Sequence, residues 1–580
     1  MSRRIAALGC LCALLISTCL MITTPITHAS SPASNIQPHA LADFPTVDPN
    51  YIYDQLYYMA TSFQHREAGY DNNLPVKVNG HDEFANYWEQ EMTRNLADFG
   101  PQVVRDPFHV DGWSGRPATV PAFNVEVSVP GVTHPEQVVV IGCHYDGEAI
   151  STQSANDDAS GCAIELGIAK AMGQYWRTHH IYPARTLRFV IFDAEEQGLY
   201  GSFHYVNHTV NGDLQNIVAM FNEEQNGIAY PLRFLGKLSN PVLPFYVDMS
   251  PLVNSQLYPH QEQLPQEQKD KITRFRALLQ QAIPDVFQQF QAMGYQVLTY
   301  HGSNNQDVSQ PIFTTDQQKN VQLEDDTLGG SDQIPFTLAG IPCATFVGNS
   351  SYYDSNPPPW SYPYDQRADT IQLMNTFANG STQKAPALTL SLGLPGMFTT
   401  WMLNQPDILG QAPATSGPIA AISDVGQTLV GQSVTLNAIN SYVPGNPAAP
   451  FSYAWDFGDG STATGVTVNH TYKAPGSYPL TLHVVSGNGQ SLINKTIAVT
   501  TQSVHYPNPY TGYLPNGVPP PNPAVILPTP TDAKPTPTPT TATSSNPFNT
   551  SGLVLVILVC LAIIIVLVRG VRLKRKKPEN

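Results

Sequence analysis

The side chains best able to do chemistry in this 580-residue chain follow short apolar runs. Gln137-Val138-Val139-Val140-Ile141 leads into Gly142-Cys143-His144-Tyr145-Asp146. Leu187-Arg188-Phe189-Val190-Ile191-Phe192 leads into Asp193-Ala194-Glu195-Glu196, and Ile217-Val218-Ala219-Met220-Phe221 into Asn222-Glu223-Glu224. Between the first two lies Asn156-Asp157-Asp158-Ala159-Ser160-Gly161. Singly, each group is ordinary: an Asp before a helix caps it and complements its dipole, and a Glu pair sits well in a solvated turn. Packed in one place, a histidine and several carboxylates repel unless a cation neutralises them. Histidine with Asp and Glu is a donor set for a divalent metal.

The positioning elements are legible beside these groups. Runs without polar interruption suit strands buried on both faces. Residues 161–176 carry apolar side chains at helical spacing. Strand, helix, strand is the unit of an α/β sheet, and each polar cluster falls at a strand's carboxyl end, where open α/β sheets hold their sites.

His144-x-Asp146, then Asn156-Asp157-Asp158-Ala159-Ser160-Gly161, then Asp193-Ala194-Glu195-Glu196-Gln197-Gly198-Leu199-Tyr200-Gly201-Ser202 resemble the H-x-D, D-D-x-S-G and E-E-x-G-x-x-G-S motifs of co-catalytic zinc exopeptidases of the bacterial leucyl aminopeptidase and aminopeptidase S type. Glutaminyl cyclases and glutamate carboxypeptidases share that fold. The resemblance covers most of 42–404, with 228–330 matching no part of the pattern. It implies an α/β, three-layer α/β/α domain with a mixed, mostly parallel sheet. It also implies two divalent ions, zinc foremost, with His144 on one, Asp157 bridging both and Glu196 on the other. Asp146 would orient His144 from behind, and Glu195 would be the general base for the attacking water. The activity implied is that of an aminopeptidase, acting on a peptide or protein with a free N-terminus.

The later motifs differ from the family's. Asn222-Glu223-Glu224-Gln225-Asn226-Gly227 stands for Asn-x-Asp-x-x-Gly, so Glu224 replaces an Asp. Ser331-Asp332-Gln333 stands for Ser-Asp-His. Asp365-Gln366-Arg367-Ala368-Asp369-Thr370 stands for His-Thr-x-x-Asp-Thr, putting Asp365 at the position of a ligand histidine, and no histidine occurs between His301 and His470. With Asp365 ligating, one ion would have Asp157, Glu196 and Asp365, an all-oxygen set that admits manganese or magnesium. The other would have His144, Asp157 and Glu224. Both replacements keep a metal-ligating side chain and Glu195 is retained, which favours a working site. Two other readings remain: a glutaminyl-cyclase-like acyltransfer enzyme with one ion, and a non-catalytic binding or adhesion protein.

Residues 417–501 show short alternating runs separated by turns, the pattern of a small β-sandwich. Tyr453-Ala454-Trp455-Asp456-Phe457-Gly458-Asp459-Gly460 and His470-Thr471-Tyr472 with Pro475-Gly476-Ser477-Tyr478 resemble polycystic-kidney-disease (PKD) domains. That resemblance implies an immunoglobulin-like spacer or adhesion module able to contact a surface polymer or protein. Asp456 and Asp459 read as turn residues.

The ends suggest an address. Residues 1–29 place Arg3 and Arg4 before an apolar run, as in a secretory signal. Residues 502–551 are rich in Pro, Thr and Ser and read as an extended stalk. Residues 552–568 lack charge and suit one transmembrane helix, and the basic tail 569–580 would stay cytoplasmic. The expectation is a single-pass membrane protein whose other domains lie outside the cell. With 45 acidic against 29 basic residues and a net charge of −16, the chain lacks the basic balance of a nucleic-acid binder. Outside the two apolar ends only Cys143, Cys162 and Cys343 occur, which excludes a disulfide scaffold and leaves open which pair could bond.

Overall fold

The computed structural model describes residues 41–68, 80–111, 119–148, 150–227, 233–234, 237–238, 245–301, 307–311, 321–327, 330–348, 367–379, 381–446 and 448–509. The expected signal, transmembrane run and tail, and most of the stalk, lie outside them. Among the described residues no helix is long and apolar enough to cross a membrane.

The apolar runs become the middle of an eight-stranded sheet. Its strands are β1 Gln102–Asp111, β2 Thr119–Val129, β3 His134–His144, β4 Arg185–Phe192, β5 Ile217–Glu224, β6 Phe245–Met249, β7 Val321–Asp325 and β8 Cys343–Val347. They lie in the order β1-β2-β4-β3-β5-β8-β6-β7. Strand β3 is parallel to both β4 and β5, and β8 to β5, while β1, β2 and β4 pair antiparallel. The sheet is therefore mixed, with a parallel centre.

Burial on both faces explains why the central strands carry no polar alternation. Val139, Ile141, Phe189 and Phe221 point into one core with helices α1 Pro49–Ser62, α2 Gly80–Asn95 and α3 Ala159–His179. Val138, Val140, Val190 and Met220 point into another with Tyr205 and Phe336. Each fully buried Ile or Phe contributes about 1.5–3 kcal/mol. Helix α4 Tyr200–His204 follows β4. The Cys143 and Cys162 thiols are joined as a disulfide with Cα atoms 5.6 Å apart, tying the end of β3 to the first turn of α3.

The unmatched stretch extends this frame. Helix α5 Gln266–Ala292 buries Phe275, Leu279, Ile283, Phe287 and Phe290 along one face. Strands β6 and β7 add an edge, β6 running antiparallel to β8. Helix α6 Gln333–Leu338 precedes β8, and α7 Pro386–Leu403 packs beneath α3 and α5.

Beyond residue 415 the chain is β-rich. Strands β9 Ser433–Asn437 and β11 Thr467–Thr471 pair together, and β10 Ser452–Asp456, β12 Gly476–Ser486 and β13 Gly489–Thr500 belong to a five-stranded sheet. Leu436, Trp455, Leu482, Ile493 and Ile497 form the core between them. Asp456 accepts from Gly458 N at 2.9 Å and Asp459 from Ser461 N at 3.0 Å, the bonding of tight turns. Gly458 has φ +76°, and a Cβ there would sit 2.7 Å from Pro479 Cδ.

This β-rich part docks on the α/β part through buried charge. Arg188 of β4 donates to both carboxylate oxygens of Asp424, at 2.6 and 3.0 Å, and to Tyr205 Oη at 3.0 Å. Lys495 lies 2.7 Å from Asp213, which also accepts from Val425 N at 2.8 Å. Charges removed from water must be paired in this way.

Candidate metal centre

Register brings the donors together. His144 lies opposite Phe192, and Gly142 opposite Asn222, so the ends of β4 and β5 flank His144. Its Nε2 is 2.9 Å from Asp157 Oδ1 and 3.7 Å from Glu224 Oε2. One potential ligand atom from each of His144, Asp157 and Glu196 lies within 4.8 Å of the other two, and the same holds for His144, Asp158 and Glu224.

The two adjacent aspartates divide their tasks. Asp158 caps α3, its Oδ1 accepting from Gly161 N at 2.9 Å and from Gln225 N at 3.1 Å. Its Oδ2, fully buried, has no hydrogen-bond partner among the described residues. Gly161 is required at the helix start, since a Cβ would lie 2.0 Å from Glu223 O and 2.4 Å from the Asp158 carboxylate. Asp157 faces His144 instead. Its N–H donates to Asp369 Oδ2 at 3.1 Å, and Asn156 N to Asp369 Oδ1 at 2.9 Å.

Asp146 joins the histidine to the glutamates. It sits 3.5 Å from His144 Nδ1 and accepts from Glu195 N and Glu196 N at 3.1 and 3.2 Å. The turn it holds is strained: Ala194 and Leu199 adopt φ of +58° and +60°, at a cost of about 1–3 kcal/mol each. Glu196 Oε1 accepts from Glu148 N at 3.1 Å. Glu224 Oε2 accepts from Ser331 Oγ at 2.6 Å, and Ser331 accepts in turn from Asn222 Nδ2 at 2.8 Å.

The electrostatics call for a cation. Burial pushes the Glu195 carboxyl well above its usual range; His144 opposes this, and Glu224 and Asp332 add to it. Asp332, fully buried, is pushed up to about 7 by burial, with His144 opposing. For His144, burial favours the neutral ring, but Glu195, Asp146, Asp157 and Glu224 raise its pKa well above the ordinary value. A buried group of one imidazole and this many carboxylates fits divalent ions by charge and donor type. Behind it lies Arg66, 1% exposed, whose guanidinium donates to the carbonyls of Tyr145, Gln153 and Ser154 at 2.7, 2.5 and 2.9 Å. Burial lowers its pKa to about 10, with Asp369 and Asp146 opposing.

Of the expected site residues, His144, Asp146, Asp157, Glu195, Glu196 and Glu224 therefore converge at the carboxyl ends of β3, β4 and β5. Asp365 lies outside the described residues. Local patterns did not signal Arg66 or His81, whose Nε2 is 2.8 Å from Asp193 Oδ1. Ser331, Asp332 and Asp369 lie within the later sequence motifs, and their contacts arise only from the fold.

Residues 124–308 match peptidase family M28 and residues 415–501 match a PKD domain. Carboxypeptidase Q of Homo sapiens is 38% identical over 127 residues, 21% of this chain and 25% of that protein. Aminopeptidase YwaD of Bacillus subtilis is 32% identical over 99 residues, 17% and 20% of the two chains. The chain thus spans a quarter or less of the length of these curated relatives. A solved zinc aminopeptidase from Bacillus subtilis aligns at 14% identity and a TM-score of 0.39, covering 62% of this chain and 95% of its own. The chain carries a peptidase family M28 domain followed by a PKD domain.

Proposed function

We propose that the M28 domain is a metal-dependent exopeptidase, and foremost an aminopeptidase. The observation that carries this reading is the meeting of potential ligand atoms of His144, Asp157 and Glu196 within 4.8 Å, with Glu195 on the same turn as Glu196. Relatives named as an aminopeptidase and a carboxypeptidase support it. His144, Asp157, Glu196 and Glu224 would hold the divalent ions, with Asp365 proposed as a further ligand from its place in the sequence. Bound divalent ions, zinc foremost, would supply Lewis acidity that makes water acidic and polarises the scissile carbonyl. Glu195 accepts the proton of the attacking water and returns it to the leaving amine as the C–N bond breaks. Asp146 accepts from the Glu195 and Glu196 backbones and lies 3.5 Å from His144 Nδ1, so it fixes the turn that carries the base beside the histidine.

The uncharged run 552–568 and the basic tail support a single membrane span. With a signal at 1–29, the M28 and PKD domains would face the outside of the cell. Fractionation of expressing cells, with protease applied from outside, tests this.

The deciding experiment is elemental mass spectrometry of the purified protein, followed by a panel of peptides with free and blocked N-termini. About two divalent ions per chain and release of N-terminal residues only from free peptides are expected. Cyclisation of N-terminal glutamine with one ion would replace the reading by acyl transfer. No ion after reconstitution with zinc or manganese would overturn it.

A further inference from the structure

The chain does not leave the M28 domain when the PKD fold ends. After β13 it turns back, and the segment 504–508 lies along the helical stretch that follows the Glu195–Glu196 turn. Tyr506 N donates to Asn207 Oδ1 at 2.8 Å, and Asn207 Nδ2 donates back to Tyr506 O at 2.9 Å. The Tyr506 ring packs against the cluster that contains Leu199 and Phe203. Burial pushes its phenol up to about 12. Asn508 Nδ2 then donates to Gly198 O at 2.7 Å.

Gly198 closes the catalytic turn. Its N–H bonds Glu195 O at 2.7 Å, and Leu199 N bonds the same carbonyl at 2.8 Å. Ala194 and Leu199 are both left-handed, and Gly198 has φ +114°. Such a turn persists only where its surroundings over-determine it. Asp146 restrains it from inside, through Glu195 N and Glu196 N. Asn508 and Tyr506 restrain it from outside. The Arg188–Asp424 pair and the buried Lys495–Asp213 pair fix the domain from which this segment emerges.

We propose that residues 504–508 are a positioning strap for the M28 centre, with Asn508 and Tyr506 setting the geometry of the turn that bears Glu195 and Glu196. The PKD domain is then a structural partner of the site as well as a module. This rests on the proposed hydrolytic reading for its kinetic consequence. Asn508 touches no reacting atom; it acts through Gly198.

The test uses the full chain with Asn508→Asp, which keeps the shape and loses the donor, Asn508→Gln, which keeps the donor, and Tyr506→Ala. Amide hydrogen exchange at Gly198 and Leu199 is followed beside kcat, KM and Tm. N508D is expected to speed exchange at those amides and lower kcat about tenfold, with KM and Tm little changed. N508Q should recover most of the loss. Unchanged exchange and kcat in N508D and Y506A overturn the strap, as does a fall in Tm with kcat per folded molecule intact. If the wild type cleaves no peptide yet N508D still speeds exchange, the strap stands and the hydrolytic reading falls.

Discussion

Asp369 accepts hydrogen bonds from the backbone N–H groups of both Asn156 and Asp157, which lies 212 residues earlier in the chain. A carboxylate thus orients the loop that presents another carboxylate to His144. Supports of this kind hold a ligand in place without touching the ion. Asp369→Ala should weaken metal binding about 10–100-fold, read by competition with a chelator of known affinity. Metal affinity equal to the wild type would show that the loop is held by α3 alone.

Much of this centre was legible because strands covered on both faces must be apolar throughout. The runs at 137–141, 187–192 and 217–221 stand out for that reason, and each is followed by side chains of types able to ligate a metal. The turn in 456–461 was legible because Asp carboxylates accept from their own backbone two residues on and Gly takes the positive φ. What could not be read depends on closure of the fold. Arg66 sits in a loop with no periodic pattern, and its partners come from residues 145, 153 and 154. Arg188 and Asp424 are 236 positions apart, so nothing local announced that the PKD domain would dock. The α5 face needed the rest of the core before its apolar spacing had meaning.

Substitution of Glu195 tests the proposed catalysis apart from metal binding. Replacing it with Gln keeps the volume and removes the proposed base. Glu195→Gln should lower kcat by about 10²–10⁴, while metal content and thermal midpoint stay near the wild type. Retained activity would assign the base to another carboxylate, with Asp332 first in line because burial also raises its pKa.

Arg66 is a buried cation among Asp146, Asp157, Asp158 and Asp369. Removing it leaves three buried carbonyls without their donor and the nearby carboxylates without a cation. Arg66→Met should cost about 3–5 kcal/mol, read as a lower denaturant midpoint. Arg66→Lys should recover little, since one ammonium cannot reproduce the guanidinium's fork to three carbonyls. A midpoint within experimental error of the wild type would mean that Arg66 offsets no charge in the folded state.

The ion pair at the domain boundary gives a sharper contrast. Arg188→Met leaves Asp424 and Glu126 without their cation and should destabilise the protein by about 3–5 kcal/mol. Replacing Arg188, Glu126 and Asp424 together by apolar residues of similar volume should restore most of that loss. Equal destabilisation by the single and triple variants would show that the charges matter less than the shape of the contact.

His81 makes the stability depend on pH. Its ring nitrogens lie 2.9 Å from Asp82 and 2.8 Å from Asp193, and it packs on Tyr145 with centroids 4.6 Å apart. Burial would lower its pKa, but the two carboxylates outweigh burial and raise it from 6.5 to about 10. Between those values the folded protein holds a proton that the unfolded chain has released. The contribution is therefore complete below the unfolded pKa and is lost as pH rises toward the folded one. Thermal midpoints measured from pH 6 to 10 should fall more steeply for the wild type than for His81→Gln, the two curves drawing together at the alkaline end. Parallel curves would show that His81 is neutral in the folded protein and that Asp193 is held by Phe123 N and the Tyr145 hydroxyl, at 2.9 and 3.1 Å, instead.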